Sequence, residues 1–166
     1  MFPGRIYWRG WVADWPRWLL LIALLTPIQV VAEELFFRCL LPRLCWRLGA
    51  SPLLAIVLAA AAFTGVHLPL LAAAQGWELL TFYFCFGLFS GALVLSEQGL
   101  ERVIGWHLAQ NLFAFWGVSH GEQSLRTPAL FHTSSLEPCW SLLQFLLLSL
   151  FGYVILMGFS LKGKVS

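Results

Sequence analysis

Charge is what this sequence has least of. Only 11% of its 166 residues are Asp, Glu, Lys or Arg, while 60% are hydrophobic. A soluble domain carries about 25% charged and about 45–50% apolar residues, so too few polar side chains are present to cover a water-soluble surface. The same scarcity excludes a disordered chain, whose composition is the reverse. Ten Lys and Arg against eight Asp and Glu leave a net charge of +2. No basic tract stands out, and nucleic acid is not an expected partner. The four cysteines, Cys39, Cys45, Cys85 and Cys139, show no CxxC spacing. They read as small apolar filler rather than as disulfides or metal ligands. The HExxH pattern of zinc peptidases is absent. Residues 1–18 are rich in Arg and Trp and contain no short apolar core leading to a small-residue cleavage site, so no cleavable signal peptide is expected.

What remains is a membrane protein. A membrane β-barrel alternates apolar and polar residues over segments of about ten residues, whereas the apolar runs here are continuous and about twice as long. The expected fold is all-α: a polytopic transmembrane helix bundle of about five spans, each needing about 20 apolar residues to cross about 30 Å of hydrocarbon. Residues 1–17 mix Arg5, Arg9 and Arg17 with Tyr7, Trp8, Trp11 and Trp15, a composition suited to the headgroup level. Expected spans cover residues 18–41, with the pattern continuing towards Trp46, then 52–74, 77–95, 100–118 and 138–161. Pro27 would bend the first, and Pro52 would start the second. Short connections between the first four make neighbours antiparallel. Residues 119–137, with His120, Arg126 and His132, form the long polar connection. No linker divides the chain, which reads as a single domain over 1–166, its core spans lying within 18–118. In the third span Gly87 and Gly91 are four apart, which allows close approach by another helix. Arg5, Arg9, Arg17 and Arg126 fall on one side of this topology. Arg43, Arg47, Arg102, Lys162 and Lys164 fall on the other, so positive charge sets no orientation.

The informative residues are those that interrupt the apolar runs. The first expected span carries Glu33, Glu34 and Arg38, the second His67, the fourth His107 and Asn111. An Arg, Lys or Asp at a span's centre costs about 2.5–3.5 kcal/mol on insertion scales. Glu34 and Arg38 are four apart in the acid-before-base order and can neutralise each other. Glu33 lies about 100° round the helix from Glu34, without an in-helix cation and on the face of Gln29. His107 and Asn111 project together one turn apart. Phe63 lies one turn before His67 and would pack beneath its ring. Counted from the membrane side of the connection between the first two spans, near residues 43–51, Glu33, His67, His107 and Asn111 lie about 15, 22, 10 and 16 Å deep. One shared cavity within the bundle is thereby allowed.

A carboxylate, two imidazoles and an amide suit the hydrolysis of an amide bond. Burial raises a carboxylate's pKa and a nearby cation lowers it, a combination fit for a general base. Glu33 with His67 could activate a water, while His107 and Asn111 offer donors for the developing oxyanion. No serine stands as an obvious nucleophile, and Cys39 lacks a clear base. No cofactor is expected in this form of the site. The alternative is zinc held by Glu33, His67 and His107.

The motifs match a known pattern. Glu33-Glu34-Leu-Phe-Phe-Arg38 has the form EExxxR, Phe63-Thr-Gly-Val-His67 the form FxxxH, and His107-Leu-Ala-Gln-Asn111 the form HxxxN. Through these motifs, in order, residues 20–118 resemble the CPBP family of CAAX proteases and bacteriocin-processing proteins, also called the ABI family. The resemblance implies a glutamate-dependent intramembrane endopeptidase. Glu33 would be the base, His67 its partner in activating water, and His107 with Asn111 the oxyanion site, supported by Glu34 and Arg38. Cys39 stands where many members have Gly, and larger members carry further spans before the first motif. The implied substrate is a membrane-associated peptide or protein: a C-terminal sorting tail, a leader or bacteriocin peptide, or a CAAX-type protein. The implied place is a bacterial cell membrane. Two other readings use the same residues. One is a non-enzymatic immunity or scaffold protein that binds a membrane peptide. The other is a small transporter or proton relay. The sequence assigns no oligomeric state.

Overall fold

The computed structural model describes residues 6–8, 13–68, 77–120 and 129–133. Their architecture is helical. Helix α1 spans Trp15–Glu34, with Pro16 in its first turn, where no N–H is needed. The helical path then runs on without a break through a wide π-type turn, Leu35–Leu40, into α2, Leu41–Arg47. Pro42 accounts for the wide turn. Its ring removes the N–H that would have reached the Arg38 carbonyl and crowds that carbonyl. The Leu41 N–H reaches back five residues to the Phe36 carbonyl instead. The first expected span is therefore one helical path of 33 residues, Trp15–Arg47.

α2 ends where Gly49 takes a φ of 94°, a conformation open to glycine. The Ala50 N–H then bonds the Cys45 carbonyl and the Gly49 N–H the Trp46 carbonyl, both at 3.0 Å, which completes a Schellman stop. Ser51 at once caps the next helix by accepting from the Leu54 N–H at 3.2 Å. This turn reverses the chain into α3, Pro52–Val66. Helix α4 spans Trp77–Glu97 and α5 spans Glu101–Leu112, followed by a second π-type turn at Phe113–Gly117.

α3 and α4 pack closely because their contact is lined by small residues. A Cβ on Gly87 would fall 2.8 Å from the Cα and Cβ of Ala60, and one on Gly91 would fall 2.6 Å from Ile56 Cγ2. The glycine pair in the third expected span thus does what its spacing suggested. Phe37, Phe63 and Phe86 form the buried centre where the first helical path, α3 and α4 meet, with Tyr83, Phe82 and Trp106 around it.

Two helices, Trp15–Arg47 and Leu80–Glu97, are long and apolar enough to cross a membrane, while Pro52–Val66 is shorter. Only 22% of the apolar window of each is buried, so they are not the core of a soluble protein. Leu20, Leu24, Leu25, Ile28, Leu40 and Leu44 are all exposed, an outward apolar surface that suits lipid.

The boundaries differ from the sequence reading in three places. Within the second expected span α3 ends at Val66, so His67 stands at a helix end, and residues 69–74 lie outside the described residues. The fourth gives way at Val118 to a short strand. The N-terminal stretch contributes a strand, Ile6–Trp8, before helix begins at Trp15. This β1 pairs antiparallel with β3, Phe131–Thr133, which pairs parallel with β2, Val118–His120. Trp8 packs edge-on against Phe131 at 5.2 Å. The expected span at 138–161 lies outside the described residues.

Candidate active site

Glu34 is the most enclosed polar group of the site, with no exposed surface. It is held from two sides. Arg38, one turn on, places Nε 3.2 Å from its Oε2. His107, carried in by α5, places Nδ1 2.7 Å from its Oε1. A carboxylate accepts, so the Nδ1–H of His107 donates, and the ring's Nε2 is the nitrogen that turns towards Glu33. It lies 3.6 Å from Glu33 Oε2, beyond hydrogen-bond range. His107 thus stands between the two glutamates.

Arg38 is buried as well, and its guanidinium nitrogens have no hydrogen-bond partner among the described residues. Its charge is met by Glu34 and by π faces. The guanidinium carbon lies 4.4 Å from the centre of the Phe63 ring and 5.6 Å from that of Phe86. A desolvated cation over an aromatic face is stabilised by about 2 kcal/mol.

Glu33 is the half-buried neighbour. Gln29 donates from Nε2 to its Oε1 at 2.8 Å, as their shared face suggested. One carboxylate oxygen is thereby anchored, and the other faces His107. This is the accessible carboxylate of the pair, its side chain 20% exposed.

His67 caps the C-terminus of α3, and its Nδ1 lies 2.7 Å from the Phe63 carbonyl oxygen. A carbonyl only accepts, so Nδ1 carries the proton and Nε2 keeps a lone pair. The ring packs on Phe63 at 4.6 Å, as one helical turn of separation implied, and stacks on Tyr83 at 4.2 Å with 21° between planes. Phe63 joins the site together: its ring touches Phe37, His67, Tyr83, Phe86 and His107 and lies under Arg38.

The structure therefore brings Glu33, Glu34, Arg38 and His107 into one polar cluster and places His67 on the same phenyl ring as His107. It does not pair His67 with Glu33 directly; the imidazole recorded against Glu33 is that of His107. Nor is Glu34 partnered by Arg38 alone. Asn111, one turn beyond His107, is half-buried. Tyr83 and Phe86, which the sequence analysis did not single out, pack against the two imidazoles. Their spacing in an apolar helix held no signal that separates them from ordinary core.

The zinc alternative needs Glu33, His67 and His107 to converge on one ion. Both imidazoles hold their Nδ1 atoms on other partners, His107 on Glu34 and His67 on a backbone carbonyl, and leave Nε2 unbonded, an orientation that metal ligation tolerates. Among the described residues no group of three His, Cys, Asp or Glu is arranged to hold a metal ion.

The model of the family described as type II CAAX prenyl endopeptidase Rce1-like matches residues 13–113, a stretch that holds all three motifs. The chain is also 32% identical over 130 residues to the uncharacterized protein YyaK of Bacillus subtilis (strain 168). That alignment covers 74% of this chain and 42% of the relative, so the chain spans less than half of that protein's length. No solved structure matches. With over half its length under one family model, and with outward apolar helices around a buried acid–imidazole cluster, the chain belongs to the Rce1-like family of membrane-embedded CAAX proteases.

Proposed function

We propose that the protein is an intramembrane endopeptidase that hydrolyses a peptide bond of a membrane-associated substrate with water as nucleophile. The observation that carries this reading is the contrast between two adjacent carboxylates. Glu34 is sealed and neutralised by Arg38 and His107. Glu33 is anchored through one oxygen only and remains partly accessible. A carboxylate that can meet water beside a sealed charge-balanced cluster is suited to act as a general base.

In this reading Glu33 removes a proton from water as the oxygen attacks the scissile carbonyl carbon. His67, with its Nε2 lone pair, accepts the water's other hydrogen as a hydrogen bond and orients it. The carbonyl π electrons move onto oxygen. That oxyanion is met by the Asn111 amide and by His107, which donates from Nε2 when the ring carries a proton on both nitrogens, its Nδ1–H staying on Glu34. Collapse of the intermediate expels the amine, which takes the proton held by Glu33. Glu34 and Arg38 hold His107 in place. No metal enters the scheme.

The substrate class follows from the lipid setting and the family. It is a peptide reaching the site along the membrane: a C-terminal sorting tail, a leader or bacteriocin precursor, or a CAAX-type protein. We place the protein in a bacterial cell membrane as a multi-pass bundle of about five spans. The test is reconstitution in liposomes with a library of membrane-anchored peptides, read by mass spectrometry. Cleavage at a defined bond, with one water added across it, is expected. An intact library over many turnover times, with the protein folded, would overturn the reading.

A further inference from the structure

Tyr83 on α4 belongs to none of the three motifs, yet it makes the closest ring contact recorded for His67. The two rings stack at 4.2 Å and 21°, while Phe63 meets the imidazole at 4.6 Å and 50°. His67 needs such a hold. It sits at the residue where α3 ends, with φ −91° and ψ −5°. Its polar tie among the described residues is the Nδ1 contact with the Phe63 carbonyl. That one bond favours the Nδ1–H tautomer but does not by itself hold the ring: a ring free to turn at its side-chain torsions breaks the bond and lets the proton exchange between the two nitrogens. A flat ring lying nearly parallel to the imidazole removes this freedom. Tyr83 is itself half-buried, packs against Phe63 at 6.1 Å and stands edge-on to Phe82 at 5.5 Å. Its distance from α3 is set one turn further along α4, where Gly87 meets Ala60 with no room for a Cβ.

We infer that Tyr83 is a positioning residue: by stacking, its ring holds the His67 imidazole with Nε2 presented to the water that Glu33 activates. The inference rests on the hydrolytic reading for its kinetic consequence, but its structural half stands without it. The part that matters is the aromatic face, not the hydroxyl. Replacing the ring by an aliphatic side chain therefore frees the imidazole, whereas Tyr83→Phe keeps it in place.

The experiment compares wild type, Tyr83→Phe and Tyr83→Leu in detergent micelles and in liposomes. In micelles, nitrogen NMR of the His67 ring is expected to show the single Nδ1–H tautomer in wild type and Tyr83→Phe, and exchange between tautomers in Tyr83→Leu. In liposomes, with the best-cleaved peptide, Tyr83→Leu is expected to lower kcat by about 10- to 100-fold with little change in KM. Tyr83→Phe is expected to restore both kcat and the pH profile of wild type. An unchanged tautomer signal in Tyr83→Leu would overturn the inference, as would a loss in Tyr83→Phe equal to that in Tyr83→Leu. Absence of cleavage by wild type would count against the hydrolytic reading alone, since the NMR comparison still decides the positioning. Thermal unfolding of each variant identifies a loss caused by misfolding, in which case Tyr83→Trp, which retains a flat ring, replaces Tyr83→Leu and must keep the single tautomer.

Discussion

Glu34 and Arg38 illustrate what a buried charge demands. Each is nearly sealed from solvent, with side-chain exposures of 0% and 2%, and each needs the other in a low-dielectric surrounding. Removing one partner of such a pair leaves a stranded charge and typically costs about 3–5 kcal/mol. Arg38→Met is therefore expected to destabilise the fold by about that amount, measured by thermal or denaturant unfolding in detergent. Stability equal to wild type would show that Glu34 does not depend on the pair. The double variant Arg38→Met/Glu34→Leu removes both charges and is expected to recover much of the loss. Metal chelation belongs to the same scale. Because Glu33 and His67 activate water without a metal in the proposed scheme, and no group of three His, Cys, Asp or Glu among the described residues is arranged to hold one, EDTA is expected to leave cleavage unchanged. Loss on chelation with recovery by zinc would overturn the metal-free scheme. The local pairs were legible in the sequence, since Glu34 with Arg38 and Gln29 with Glu33 are both four apart on one helix face. The bond from His107 to Glu34 spans 73 positions, and no local spacing encodes it. Which imidazole reaches which carboxylate depends on how α3 and α5 dock against α1.

At the scale of elements, two local devices set the site. The wide turn at Leu35–Leu40 follows from Pro42 and places Arg38 under the Phe63 and Phe86 rings. Such turns often occur at functional sites. The sequence shows a proline there, but whether a helix kinks, widens or stops at a proline depends on tertiary packing. The second device is the seam between α3 and α4. Gly87→Leu would drive a side chain into Ala60 backbone where even a Cβ falls 2.8 Å away. Overpacking of this kind typically costs about 1–3 kcal/mol. Gly87→Leu is expected to lower the unfolding midpoint and weaken cleavage, whereas Gly65→Ala, where a Cβ meets nothing within 4 Å, is expected to leave both near wild type. Equal behaviour of the two variants would contradict the close packing. The glycine seam was readable from its spacing. The end of α3 at Val66 was not, because apolar residues continue past His67 and hydropathy alone does not mark a helix stop.

At the scale of the whole molecule, the shortage of charge, the outward leucines of α1 and the buried acid–imidazole cluster are parts of one arrangement. Lipid replaces water outside, and the polar groups turn inward to one another. Low charge and long apolar runs were enough to read a helical membrane bundle, because no other class tolerates them. The short three-stranded sheet was not legible, since its strands, β1, β2 and β3, are three residues each and too brief for a period-two pattern. The account turns on Glu33 as the base that activates water. Its most direct test is the rate of cleavage of one reconstituted membrane peptide by wild type and by Glu33→Gln, an exchange that keeps the shape and removes the basic oxygen. The expected result is a fall in kcat of about 100- to 10,000-fold, the usual worth of a general base, with unchanged unfolding temperature and peptide binding. Wild-type kcat in the folded Glu33→Gln protein would contradict the account.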